Sequence, residues 1–140
     1  MVTKAFFVGL FVVAGLVACS DDHHGEEEGA PSGAACAPAE GLSYESFGRS
    51  FMETYCTRCH SSTLSGAARN GAPLNHDFDT FLGVFDVAEH IDEYAAAGPA
   101  AVNEKMPISD PRPSLGERQK LGRWLACEIA NADGGLPDGI

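Results

Sequence analysis

Cys56-Thr57-Arg58-Cys59-His60 is the stretch on which the reading of this chain turns. It is a C-x-x-C-H motif. Two thiols one helical turn apart can add to the two vinyl groups of a single haem, while the adjacent imidazole swings under the ring and binds iron. With five Cys and five His among 140 residues, random placement would produce this pentapeptide in roughly 0.6% of shuffled chains, so coincidence explains it poorly. A thioredoxin-like redox pair calls for the strands of a βαβ unit around the motif, and half of a zinc site calls for a second Cys/His pair at ligand spacing. Neither context is present in the sequence. Attachment of one haem through Cys56 and Cys59, with His60 on the iron, is the expectation that remains.

Helical periodicity flanks the motif on both sides. Phe47, Phe51 and Tyr55 recur every four residues beside Gly48 and Met52, which predicts a helix with one apolar face, capped by Ser43 or Ser46. Phe78, Phe81, Leu82 and Phe85 fall at i, i+3, i+4 and i+7, and the pattern runs on through Ala88, Ile91 and Ala95. That predicts a helix opening near Asp77, bent near Gly83 and ended by Gly98-Pro99, with Pro99 opening a short helical turn through Val102. Ser114-x-x-Glu117 is a capping box ahead of Leu121, Trp124, Leu125 and Ile129 at helical spacing. No apolar/polar alternation long enough for a strand pair occurs, so the expected fold class is all-α.

The ends of the chain read differently. Lys4 precedes 14 uncharged residues, 5–18, fewer than the roughly 20 that span a bilayer core, which is the pattern of a secretory signal peptide. Leu16-Val17-Ala18-Cys19 resembles a bacterial lipobox; the resemblance implies cleavage after residue 18 and a lipid anchor on Cys19. Residues 19–35, rich in charge, Gly, Ser and Pro, are expected to form a flexible acidic tether. Asp21, Asp22, His23 and His24 lie in that run, which must be ordered before it can hold a metal. The core domain is placed at 36–131, and 132–140 is read as a disordered tail. Nine Lys/Arg against 20 Asp/Glu give a net charge of −11, which speaks against nucleic acid as a partner because phosphate binding needs a basic stripe.

Over most of residues 43–130 the chain resembles the small class I cytochromes c, and four places carry the likeness. Gly48 stands eight positions before Cys56, as a glycine does in that family where the first and last helices cross; the resemblance implies Trp124 packed over it. In Gly71-Ala72-Pro73-Leu74, Pro73 takes by resemblance the role of offering its carbonyl to the ring N–H of His60, and Leu74 that of packing on the haem. In Lys105-Met106-Pro107, Met106 takes the role of the second axial ligand, its polar loop setting ahead of the last helix counting against a core-filling Met. The competitors, His76, His90 and Met52, read respectively as two surface residues and a core residue. The fourth place is the C-terminal helix itself. The implied fold is a pair of crossing terminal helices wrapped around a covalent haem c. Since those helices meet in such a fold and an exported chain is oxidised, Cys36 and Cys127 are expected to form a disulfide.

The resemblance implies a one-electron carrier rather than an enzyme, since His60 and Met106 together leave iron no open position, and a thioether ligand favours Fe(II). Two alternatives stand beside it: a haem-based sensor or peroxidase-like enzyme with a displaceable sixth ligand, and a cofactor-free interaction module. The expected partner is a redox protein with a basic docking face, and the expected location is the periplasmic side of a bacterial envelope membrane, held by Cys19. Ser20 followed by Asp21 and Asp22 leaves inner and outer membrane both open. Arg58 and Lys105 are read mainly as surface charge.

Overall fold

The computed structural model describes residues 29–133, so the signal peptide, Cys19 and most of the expected tether and tail lie outside the described residues. The first apolar helical stretch starts as a π-helical turn, Tyr44–Gly48, and continues as α1, Arg49–Tyr55. Ser43 and Ser46 cap it jointly: the Ser43 hydroxyl accepts from the Ser46 N–H at 3.1 Å, and the Ser46 hydroxyl accepts from the Ser43 N–H at 2.9 Å. After a long irregular segment come α2, Phe81–Phe85, and α3, Ala88–Ala95; a second irregular segment leads to α4, Leu115–Asp133. The only pairing of extended backbone among the described residues is the isolated bridge between Ala97 and Val102. The fold is all-α.

The expected middle helix is in fact two. Thr80, not Asp77, caps α2, its hydroxyl accepting from the Gly83 N–H at 3.1 Å, and the chain breaks at Asp86-Val87 rather than at Gly83. Gly83 serves a close approach: a β-carbon there would lie 1.8 Å from the Asp77 carbonyl oxygen. The Gly98-Pro99 segment, expected to begin a helical turn, instead makes a tight reversal in which the Gly98 N–H donates to Ala101 at 2.9 Å beneath the Ala97–Val102 bridge.

α3 packs along α4, and the core lies between these helices and the first helical stretch, around Trp124, Leu121, Leu125, Met52 and Val84. Trp124 is fully buried over Gly48, where a β-carbon would stand 2.4 Å from the indole Cζ2. Phe47 meets the same indole edge-on at 6.0 Å. Met52 is completely buried, as a core residue should be. At the other end of α1, the Tyr55 hydroxyl donates to Glu117 at 2.8 Å, and Glu117 also accepts from the Ser114 hydroxyl and N–H at 2.7 and 2.8 Å. One carboxylate thereby caps α4 and fastens α1 to it.

The tether reading needs correction at its C-terminal end. Ser32 is fully buried: its N–H and hydroxyl both donate to the Asp92 carboxylate at 2.7 and 2.6 Å, and its carbonyl accepts from Ala100 and Ala101. Asn103 donates its side-chain amide to the carbonyls of Ala30 and Asp92 at 2.8 and 2.9 Å. Composition suggested a solvated linker up to residue 35, but this polar strand of chain supplies donors and acceptors that the turn after α3 lacks internally. The packed domain therefore begins near Ala30. At its other end α4 runs to Asp133, two residues past the expected limit. Cys36 and Cys127 are joined by a disulfide, linking this N-terminal strap to α4.

Gly48→Ala forces a methyl into the Trp124 ring, and a loss of about 1–3 kcal/mol is expected in urea unfolding. The Ser114 hydroxyl, its N–H and the Tyr55 hydroxyl hold the Glu117 carboxyl below its ordinary value of 4.5. A carboxyl with a lower value in the folded state stabilises above about pH 4.5, and that stability fades as pH falls through the folded value. Glu117→Gln is thus expected to lower the urea midpoint at pH 7 and to differ less from the parent protein at pH 3.

Candidate functional site

The motif follows directly on the C-terminus of α1. The Cys56 carbonyl accepts from the N–H groups of Cys59 and His60 at 3.1 and 3.0 Å, so the two thiols sit on one tight turn. Neither is bridged, whereas the other two cysteines among the described residues are bonded to each other. Burial pushes the Cys56 thiol up to about 12 although the residue as a whole keeps some exposure; the positive charges of Arg58 and Arg118 pull the other way without prevailing. A catalytic dithiol needs a lowered thiol value, so this environment counts against thioredoxin-like chemistry.

Phe78 pins His60 twice. Its N–H donates to the His60 carbonyl at 2.9 Å, and its ring stacks on the imidazole at 4.6 Å between centroids and 9° between planes. The His60 Nδ1 lies 3.2 Å from the carbonyl of His76. A carbonyl can only accept, so the proton sits on Nδ1 and Nε2 keeps its lone pair. Burial holds the His60 ring below its ordinary value, which favours the neutral imidazole, the form that binds a metal.

This geometry changes two expectations. The carbonyl facing His60 belongs to His76 and not to Pro73; the buried Arg69 guanidinium donates to the carbonyls of Pro73, Ser61, Ala72 and His76 alike, and pairs with Asp77 at 2.7 Å. His76 is accordingly no detached surface residue; it is half-buried, its ring 6.3 Å from that of His60 and 5.1 Å from that of the exposed His90. Leu74 stands 79% exposed, an apolar side chain with its surface free.

Met106 is partly buried against the core. Its N–H donates to the Tyr94 carbonyl and its own carbonyl accepts from Arg118, both at 2.9 Å. The loop beyond it is tied to the motif itself, since the Arg58 guanidinium donates to the carbonyls of Ser109 and Asp110. Arg58, exposed as surface charge was expected to be, also ties the motif to the loop beyond Met106. Lys105 lies over the Tyr94 ring at 5.2 Å. The sequence reading missed two buried arginines, Arg69 and Arg118, and the bonding of Arg58. The visible signal was their place in or beside segments with no helical period, where carbonyls need side-chain donors.

By residue type the donors are those a c-type haem takes: two free thiols on one turn, an imidazole whose Nδ1 is engaged so that Nε2 keeps its lone pair, and a thioether in a loop tied to the same turn through Arg58. A cleft of about 330 Å³ lined by Phe85, Asp86, Glu89, His90 and Ile129 includes none of these donors. Among the described residues no cluster of three or more His, Cys, Asp or Glu forms an independent metal site, and no helix is long and apolar enough to cross a membrane. Comparison with family models, with curated proteins and with solved structures finds no match to this chain.

Arg69→Met removes the donor to four carbonyls and strands Asp77; a loss of about 3 kcal/mol in chemical unfolding is expected. With no haem attached, denatured protein from residue 29 onward is expected to show two titratable thiols before reduction and four after it.

Proposed function

We propose that this chain carries one covalent haem c and works as a one-electron carrier of the class I cytochrome c kind. Cys56 and Cys59 would hold the group by thioether bonds, with His60 Nε2 and the Met106 sulfur as axial ligands. When bound, it supplies an Fe(III)/Fe(II) couple. The observation that carries the reading is the pair of unbridged thiols on one turn beside an imidazole whose Nδ1 proton is engaged, leaving Nε2 to bind. The packing of Trp124 on Gly48 supports the crossing of first and last helices in that family's fold.

Each residue has a definite task in this reading. The His76 carbonyl, accepting from Nδ1, fixes the His60 tautomer and strengthens its donor nitrogen. Phe78 limits rotation of the same ring by stacking on it. The Met106 thioether favours the reduced metal relative to a second imidazole. Its backbone is bonded on both sides, so the ligand arm need move little when an electron arrives or leaves. Leu74 offers free apolar surface to a macrocycle. With His60 and Met106 both holding the iron, substrate would have no place on it, so the chain would transfer electrons rather than turn substrate over.

Partners follow from charge and address. A chain of net charge −11 is attracted to a redox protein with a basic docking face, through contacts that weaken as salt rises. The lipobox resemblance at Leu16–Cys19 supports a domain held in the periplasm of a bacterial envelope by a lipid anchor.

Protein purified from its native host is expected to be red, to keep its haem through acid–acetone extraction, and to show both the haem and the acyl chains in one mass spectrum. Colourless protein with two free motif thiols sinks the proposal. Met106→Ala is expected to abolish the iron–thioether charge-transfer band and to admit cyanide or CO at least tenfold more readily, whereas His76→Ala and His90→Ala keep the band.

A further inference from the structure

Arg118 is 1% exposed, yet among the described residues it makes no ion pair. Its Nη1 group donates to three carbonyls, of Ala95 at 2.7 Å, Asn103 at 2.8 Å and Met106 at 2.9 Å, and its Nε has no partner. Burying a guanidinium without a carboxylate is costly, and an apolar side chain of like volume is often the more stabilising choice. Core stability is therefore a weak reason for a cation at this position, and the identity of the carbonyls supplies a better one. Ala95 ends α3, Asn103 anchors the turn after it, and Met106 begins an irregular stretch that regains helical bonding only at α4. Three carbonyls along that segment converge on one NH₂ group, whose two N–H bonds they share. Arg58 holds the far side of the same loop, but from an exposed position.

Resting on the haem reading above, we infer that Arg118 is the positioning residue that keeps Met106 in place as the sixth ligand to iron. Its bond to the Met106 carbonyl opposes rotation of the backbone that carries the thioether. The bonds to Ala95 and Asn103 fix that backbone against α3. Without the guanidinium the Met106 carbonyl loses its protein donor, and the loop gains freedom to turn outward to water. The thioether would then compete less well with an external ligand, while the Cys56, Cys59 and His60 attachments stay unchanged.

Imidazole titration of the oxidised holoprotein tests this directly, because imidazole binds only where Met106 lets go. Arg118→Met is expected to raise imidazole affinity by about tenfold or more and to weaken the iron–thioether charge-transfer band, the loss of one charge-assisted hydrogen bond setting the scale. Arg118→Lys, which retains a cationic donor of shorter reach, is expected to recover part of both signals. Leu125→Ala is the control for general destabilisation: it opens a cavity in α4 two turns away, lowers the urea midpoint, and leaves imidazole affinity within about twofold. The inference is overturned if folded Arg118→Met binds imidazole as the parent does, or if Leu125→Ala raises affinity equally. If Arg118→Met yields no folded holoprotein, Arg118→Lys decides: parental affinity overturns the inference, a rise supports it. A red parent with the charge-transfer band and an insensitive Arg118 variant defeats this inference alone, whereas a colourless parent defeats the haem reading.

Discussion

The fit of the Trp124 indole onto the bare backbone of Gly48 is the constraint from which the rest of this domain follows. A short α1 and its π-helical turn have little propensity to stand alone, since a helix this short does not recover its nucleation cost in water. Burying the largest side chain of α4 against a residue without a side chain lets the indole lie directly on the backbone of the first helical stretch. Phe47 and Tyr44 then close around the same ring, and Tyr55 can meet Glu117 at the other end. That docking fixes the direction in which α1 delivers Cys56, Cys59 and His60. The disulfide between Cys36 and Cys127 adds a covalent link to the same helix, α4.

Between its helices this chain runs for long distances without repetitive backbone bonding, and arginine supplies what is missing. Arg69 gathers the carbonyls of residues 61–76, and Arg118 gathers those of residues 95–106. A guanidinium suits this work because its planar fork presents several donors in fixed directions. The pairing is asymmetric. Arg69 has Asp77 to balance its charge, while Arg118 has no carboxylate bonded to it. The loop behind His60 is thus stabilised by a contact ion pair, and the loop bearing Met106 by a guanidinium whose nearest carboxylate influence, Glu104, makes no direct bond to it, a difference in chemistry between the two halves of the candidate site.

Chemistry at the motif follows from burial as much as from residue type. Burial makes the Cys56 thiol resist ionisation, the opposite of the lowered thiol value that repeated disulfide exchange needs. His60 is kept neutral by burial and oriented by a carbonyl and an aromatic face.

Residue order alone was enough for the all-α class, the two serines that cap the first helical stretch, the capping box at Ser114 and Glu117, and the motif itself, because each depends on contacts between residues three or four positions apart. The break at Asp86-Val87 was hidden because the apolar period continues across it, and periodicity cannot reveal a change in axis. Ser32 looked like linker because its partners, Asp92 and Ala100, lie some sixty residues away. For the same reason the carbonyl serving His60 could not be assigned from the proline nearby: the His76 oxygen reaches the imidazole only once the loop has folded back on itself. Local hydrogen bonding and side-chain period are written in neighbouring residues, whereas the choice of donor for each buried carbonyl belongs to whichever distant side chain the packing of Trp124, Phe78 and Arg118 brings within reach.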